Sequence, residues 1–231
     1  MKIKETAVES RNSIQHGIYK IINPFVNLLI RMGVTPNMVT TIGFLGNLAA
    51  AAVIAYAGYR TGYHGTNPYG LLTLGGALII GFSLFDMLDG QVARLGNMTS
   101  TFGAMYDSVL DRYCELLTLG SLSYYLIETG EPVGALITFV ALIGSIMVSY
   151  VRARAEGLGI ECKIGFLQRP ERVVITSAAI LAAGITGMAV PYSAVPAKIL
   201  IWSMAFIAVF ANITAFARVS YSRRQLEKKG K

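Results

Sequence analysis

Asp86, Asp89, Asp107 and Asp111 stand in a largely apolar stretch of helical pattern, FDMLDGQVARLGNMTSTFGAMYDSVLDR, residues 85–112. The first two are three apart and the last two four apart, and residues so spaced project from one face of a helix. Each of two helices would therefore present a pair of carboxylates. Carboxylates brought together repel, and either protonation or bound cations must relieve them; a donor set made of oxygen alone suits a hard divalent cation. Small residues keep register with the acids: Gly90 follows Asp89, Ala93 lies three further on, and Gly103 precedes Asp107 by one turn. A glycine inside a helix costs about 1 kcal/mol relative to alanine. Its use here points to a ligand that needs close access to the backbone, with helix packing as the alternative for each glycine taken singly.

The elements that must carry these acids are membrane helices. The chain has 231 residues, a mean hydropathy of +0.54 and 14% charged residues, against roughly 25% charged in ordinary soluble domains. A helix needs about 20 apolar residues to cross a bilayer, and six such windows are expected, at approximately 37–59, 69–88, 103–127, 132–152, 172–189 and 195–217. The predicted fold is all-α and polytopic: an interfacial and cytoplasmic segment at 1–33, a six-helix bundle at 34–222 and a basic tail at 223–231. Residues 1–20 carry Lys2, Lys4, Glu5, Glu9, Arg11 and Lys20 without a signal-peptide core, so no cleaved leader is expected. Ile14, Ile18, Ile21, Ile22, Phe25, Leu28 and Leu29 recur at helical spacing, with Pro24 as a break. Such an amphipathic helix either lies in the membrane interface or packs on the bundle from the cytosol.

An aspartate at the bilayer centre costs about 2.5–3.5 kcal/mol on insertion scales, so the four acids must face protein or ligand rather than lipid. A short connection makes the two carboxylate-bearing helices antiparallel neighbours, with both pairs at one end. Of the twenty Lys and Arg, only Arg60 and Lys198 fall in the connections after spans one and five. The positive-inside bias then places both termini and the acids on the cytoplasmic side of the cell membrane.

The formal net charge of +7 is spread over membrane-flanking segments. It matches an anionic leaflet of membrane lipids and gives no reason to expect a nucleic-acid partner. Cys114 and Cys162 lack metal-site spacing and read as packing residues, and His16 and His64 lie too far apart in the topology to share an ion. Gly43, Gly46 and Ala50 suit close helix packing, within the chain or between copies.

Residues 86–111 match D-x2-D-G-x2-A-R-x8-G-x3-D-x3-D through Asp86, Asp89, Gly90, Ala93, Arg94, Gly103, Asp107 and Asp111. This pattern resembles the signature of the CDP-alcohol phosphotransferases, and the segment GVTPNMVT, residues 33–40, resembles the entry to that family's first span. The resemblance implies a transferase of phospholipid biosynthesis that joins an alcohol to the phosphatidyl group of CDP-diacylglycerol or a related CDP-lipid and releases CMP. It implies a homodimer with the active site open to the cytoplasm. It also implies metal at Asp86, Asp89 and Asp107, with Asp111 as general base and a further metal contact. The ions expected are Mg2+, with Mn2+ as the alternative, and two of them can stabilise charge on a pyrophosphate while orienting in-line attack. Arg94 would meet the nucleotide's phosphates, and Gly90, Ala93 and Gly103 would leave it room. Asn37, Thr40 and Ser100 are further candidates for nucleotide contacts, each with a capping or turn role as the alternative.

The segment SYVRARAEGLGIECKIGFLQRPERVVI, residues 149–175, gathers Arg152, Arg154, Arg169 and Arg172, and Arg218 closes the sixth span. Arginine forks bind phosphate bidentately, so a cluster beyond what topology requires points to an acceptor with its own phosphate. SYVRARAE and RPER resemble segments of the prokaryotic phosphatidylinositol-phosphate synthases. That likeness implies inositol phosphate as acceptor, with Arg152, Arg154 and Arg172, and also Arg112 and Arg218, on its phosphate. Arg112 has ion pairs with the motif acids or Glu115 as its alternative. Glycerol 3-phosphate, giving phosphatidylglycerol phosphate, is the runner-up acceptor and serine the third. A cation transporter is the reading from a different class, and it would want acids nearer the midplane.

Overall fold

The structure is a computed structural model that describes residues 22–66 and 68–229. Among these residues the regular structure is helical: α1 at 22–31, α2 at Pro36–His64, α3 at Tyr69–Ser83, α4 at Phe85–Leu95, α5 at Thr101–Glu128, α6 at Pro132–Glu156, α7 at Arg169–Ala189 and α8 at Val195–Lys229. Five stretches are long and apolar enough to cross a membrane: Pro36–His64, Tyr69–Leu95, Pro132–Glu156, Arg169–Ala189 and Val195–Lys228. Thr101–Glu128 spans 28 residues but is not apolar enough to join them, with Asp107, Asp111, Arg112 and Glu115 in its first half. The chain is a polytopic helical membrane protein. Trp202 at 74% and Phe216 at 72% exposure present large apolar surfaces, as lipid-facing side chains do.

Three local features differ from the sequence expectation. The second span is not one helix: it breaks at Leu84, so that Asp86 lies in the first turn of α4, where a carboxylate interacts favourably with the helix N-terminus. Pro24 does not interrupt α1, because its fixed φ fits a helix and only its N–H is lost. The basic tail expected from residue 223 continues α8, with Arg223 Nε 2.7 Å from Glu227 Oε1 one turn on. Ile14, Ile18 and Ile21 of the expected amphipathic helix lie outside the described residues.

The chain divides into two compact units. The first comprises the described residues up to Gly43 with Ser83–Leu110, and the second Phe44–Phe82 with the described residues from Asp111 onward. In the first, Val26, Val39 and Val92 form a buried core against which Leu29, Val34, Phe85, Leu88 and Met98 pack, so that α1, α2 and α4 share one apolar centre. Thr35 precedes Pro36 at the start of α2, a sequence suited to helix entry, and its Oγ1 accepts from Met38 N–H at 3.4 Å. In the second, Ile54, Leu72, Leu122, Leu126, Ile180, Leu200, Met204 and Ile207 are buried in one cluster. Small residues let its helices approach: a Cβ at Gly76 would stand 2.7 Å from the Leu181 backbone nitrogen.

Candidate active site

The first unit holds an open cavity of about 240 Å3. Its lining includes Asn37 and Thr40 from α2, Asp89, Gly90, Ala93 and Arg94 from α4, and Ser100, Gly103 and Asp107 from the α4–α5 connection and α5. All seven candidates for nucleotide contact thus meet at one cavity beside two of the motif acids. Gly90 and Gly103 are where a side chain would intrude. A Cβ at Gly90 would meet the Arg94 guanidinium at 3.3 Å, and one at Gly103 would meet Ser100 Oγ at 3.0 Å and Asn37 Oδ1 at 3.3 Å. Ser100 also caps α5, its Oγ accepting from Gly103 N–H at 2.9 Å. Pro36, Met98, Thr99 and Ala104 share the lining and were not singled out by sequence; the signal was that Pro36, Thr99 and Ala104 adjoin the candidates Asn37, Ser100 and Gly103.

The acids separate into different surroundings. Asp86 and Asp107 offer carboxylate oxygens within 4.8 Å of each other, and Asp107 and Asp111, one turn apart on α5, do the same. Asp89 is buried at 6% exposure and is held elsewhere: Thr40 Oγ1 donates to its Oδ2 at 2.7 Å. That hydroxyl also lies 3.1 Å from Pro36 O. It carries one proton, and the shorter distance and the charge assign it to Asp89. Oxygen donors this close suit a hard divalent cation, so the donor set fits the metal expected here.

The second unit collects the cations. Arg172 is 2% exposed, with Nε and Nη2 donating to Glu115 at 2.7 and 3.1 Å and further bonds to Leu167 O at 3.2 Å and Ser145 O at 3.4 Å. Arg218, also 2% exposed, donates to Ile164 O and Val148 O at 2.7 Å each. Both were expected on an acceptor's phosphate; in the structure they bond instead to Glu115 and to carbonyl oxygens of α6 and of the connection between α6 and α7. Arg169 Nη2 pairs with Asp111 Oδ1. Asp111 and Glu115 are one turn apart on α5 and Arg169 and Arg172 one turn apart on α7, so the two pairs form a ladder between helices. Arg112 Nη2 lies 3.7 Å from Asp111 Oδ2 and its Nε 4.0 Å from Glu115. Arg152 Nε meets Glu156 at 2.9 Å, and Arg154 is exposed. Sequence reasoning missed Arg169 as the partner of Asp111; its only signal was position three before Arg172. Cys114 and Cys162 are free thiols.

A model of the CDP-alcohol phosphatidyltransferases matches residues 33–213. The chain belongs to that family. Among its relatives, a phosphatidylinositol phosphate synthase of Corynebacterium glutamicum is 30% identical over 195 residues, 84% of this chain and 81% of the relative. An archaetidylinositol phosphate synthase of Methanothermobacter thermautotrophicus is 37% identical over 172 residues, 74% and 77% of the two chains. The phosphatidylinositol phosphate synthase of Mycobacterium tuberculosis has been solved with CDP-DAG bound, and that structure superposes with a TM-score of 0.73 at 29% identity over 88% of this chain and 94% of its own. The same enzyme in complex with manganese and citrate gives 0.72 at 30%, covering 86% and 87%. This CDP-alcohol phosphatidyltransferase is an enzyme, and its acidic cluster is of the kind that binds a metal ion.

Proposed function

We propose that this enzyme transfers the phosphatidyl group of CDP-diacylglycerol to a hydroxyl of inositol phosphate, giving phosphatidylinositol phosphate and CMP. The observation that carries the reading is the cavity that sets Asp89, Asp107 and Arg94 around space cleared by Gly90 and Gly103. The acceptor follows from the names of the relatives and from the basic end of the second unit. Arg152 and Arg154 have the exposure to receive its phosphate, while Arg172 and Arg218 brace the loop and helix ends around them. The orientation has both termini and the site facing the cytoplasm of the cell membrane, the third crossing is α5, and the working form is a homodimer.

Asp86, Asp89, Asp107 and Asp111 would hold the divalent ions, Mg2+ or Mn2+ and two in number. Such ions supply positive charge to the pyrophosphate oxygens and the leaving group. Arg94 steadies the nucleotide's phosphates, and the absence of side chains at 90 and 103 lets the nucleotide approach the helices. The acceptor hydroxyl gives its proton to an Asp111 carboxylate oxygen as its own oxygen bonds to the phosphorus that carries the diacylglycerol. The bond from that phosphorus to CMP breaks, and CMP leaves with the electron pair.

The test supplies purified enzyme with Mg2+ and CDP-diacylglycerol, adds inositol phosphate, glycerol 3-phosphate or serine in turn, and measures CMP. Release with inositol phosphate is expected. Release with glycerol 3-phosphate alone would replace the acceptor and keep the chemistry. Since one relative is named for an archaetidyl product, the same assay with CDP-archaeol decides the lipid backbone.

A further inference from the structure

The carboxylate read above as the base is already engaged. Asp111 Oδ1 pairs with Arg169 Nη2 and its Oδ2 faces Arg112 Nη2 at 3.7 Å, with side-chain exposures of 13% for Asp111 and 19% for Arg169. Arg112 follows Asp111 on the same helix, so its guanidinium stays nearby whatever else binds. Arg169 differs because it comes from another helix, α7; like Arg112, at 26%, it is partly exposed, at 19%. Arg172 and Arg218, at 2% exposure, have their donors on Glu115 and on carbonyl oxygens, and Arg152 is joined to Glu156, which is not a site acid. Of the guanidinium groups that the structure joins to Asp111, Arg169 is thus the one that a ligand can draw away.

A guanidinium paired with a carboxylate is open to competition from a phosphate, which offers three oxygens and nearly two negative charges and can engage the fork bidentately. We propose that Arg169 is a specificity-determining positioning residue that exchanges partners, holding Asp111 when no acceptor phosphate is present and moving to that phosphate when it binds, which frees Asp111 Oδ1 for the incoming hydroxyl. The acceptor's phosphate then accelerates the chemical step as well as anchoring the molecule. An alcohol lacking a phosphate finds its base still pinned. This inference rests on the reading of Asp111 as base and of a phosphorylated acceptor.

The test presents the acceptor in two pieces. Enzyme in vesicles with Mg2+ and CDP-diacylglycerol receives inositol phosphate, inositol, or inositol with phosphite, and CMP release gives kcat and KM separately. In wild type, phosphite should raise kcat for inositol about tenfold or more, because the interaction belongs to the activated arrangement rather than to uniform binding. Arg169→Gln should lose that activation and narrow the kcat gap between inositol phosphate and inositol by a similar factor, and Arg169→Lys should retain part of both. A second readout needs no turnover: phosphite should tighten Mn2+ binding to wild type, followed by electron paramagnetic resonance, and leave the Arg169→Gln affinity unmoved, since releasing Asp111 couples the two sites reciprocally. A phosphate effect confined to KM, or phosphite without influence on kcat and Mn2+ affinity, would overturn the exchange. Absence of CMP from inositol phosphate in wild type removes the acceptor reading instead, and the Mn2+ arm still decides the exchange.

Discussion

In the first unit Asp86 and Asp107 bring carboxylate oxygens within 4.8 Å of each other, whereas in the second the guanidinium groups of Arg112, Arg152, Arg169, Arg172 and Arg218 each face an oxygen of their own chain. Grouping by like sign raises the energy of the protein alone and is relieved by an ion from outside. Pairing by opposite sign, as between Arg172 and Glu115, is met within the protein and fixes geometry. A charge's neighbours therefore say more about its task than its location does. Arg172 and Asp107 both carry charge in a largely apolar chain, but Arg172 is met by Glu115 whereas Asp107 adjoins other carboxylates and lines the cavity.

The comparison breaks most visibly at Asp107. Asp107→Asn should lower CMP release about 10^2- to 10^3-fold, the usual scale for removing one group that stabilises developing charge. Because it also removes one of several like charges, thermal stability without metal should hold or rise, while the Mg2+-induced gain in Tm shrinks. A variant destabilised in the absence of metal would mean that Asp107 is a structural acid, and the contrast between the units would fail.

Arg172 should behave in the opposite way. Arg172→Ala leaves Glu115 buried without its partner, and breaking a buried pair costs about 3–5 kcal/mol. Thermal unfolding in one fixed detergent or lipid should show that loss with or without metal. The double variant Arg172→Met, Glu115→Leu sharpens the point: removing both charges together should recover most of the stability, as apolar replacements of buried pairs do. A single variant of unchanged stability and raised acceptor KM would return Arg172 to the role of a substrate contact.

What was legible beforehand follows the range of the interactions. The cavity-lining candidates fall in two short segments, 37–40 and 90–103, so that local spacing was enough to collect them, and the apolar windows were enough to find the helices. The break at Leu84 was not legible because the apolar run LLTLGGALIIGFSLF passes through it unaltered. Contacts far apart in sequence were also hidden. Thr40 reaches Asp89 across 49 residues and Arg172 reaches Glu115 across 57. Helical spacing put Arg169 and Arg172 on one face of α7, and only tertiary register gave Asp111 to one and Glu115 to the other.

The smallest expected effect tests the acid outside the group of Asp86, Asp107 and Asp111. Asp89 is buried and takes its hydrogen bond from Thr40 at 2.7 Å, so the first unit contains one carboxylate held as the second unit holds its arginines. Thr40→Val keeps the shape and removes the hydroxyl, and losing a hydrogen bond to a charged group costs about 1.5–3 kcal/mol. Stability should fall by an amount near the lower end, because Asp89 also lines the cavity and can recruit water there. Thr40→Ser restores the donor and should recover the loss, which separates the hydrogen bond from packing of the methyl group. If Val is silent, Asp89 is positioned by the helix alone, and its bond to Thr40 does not set it apart from Asp86 and Asp107.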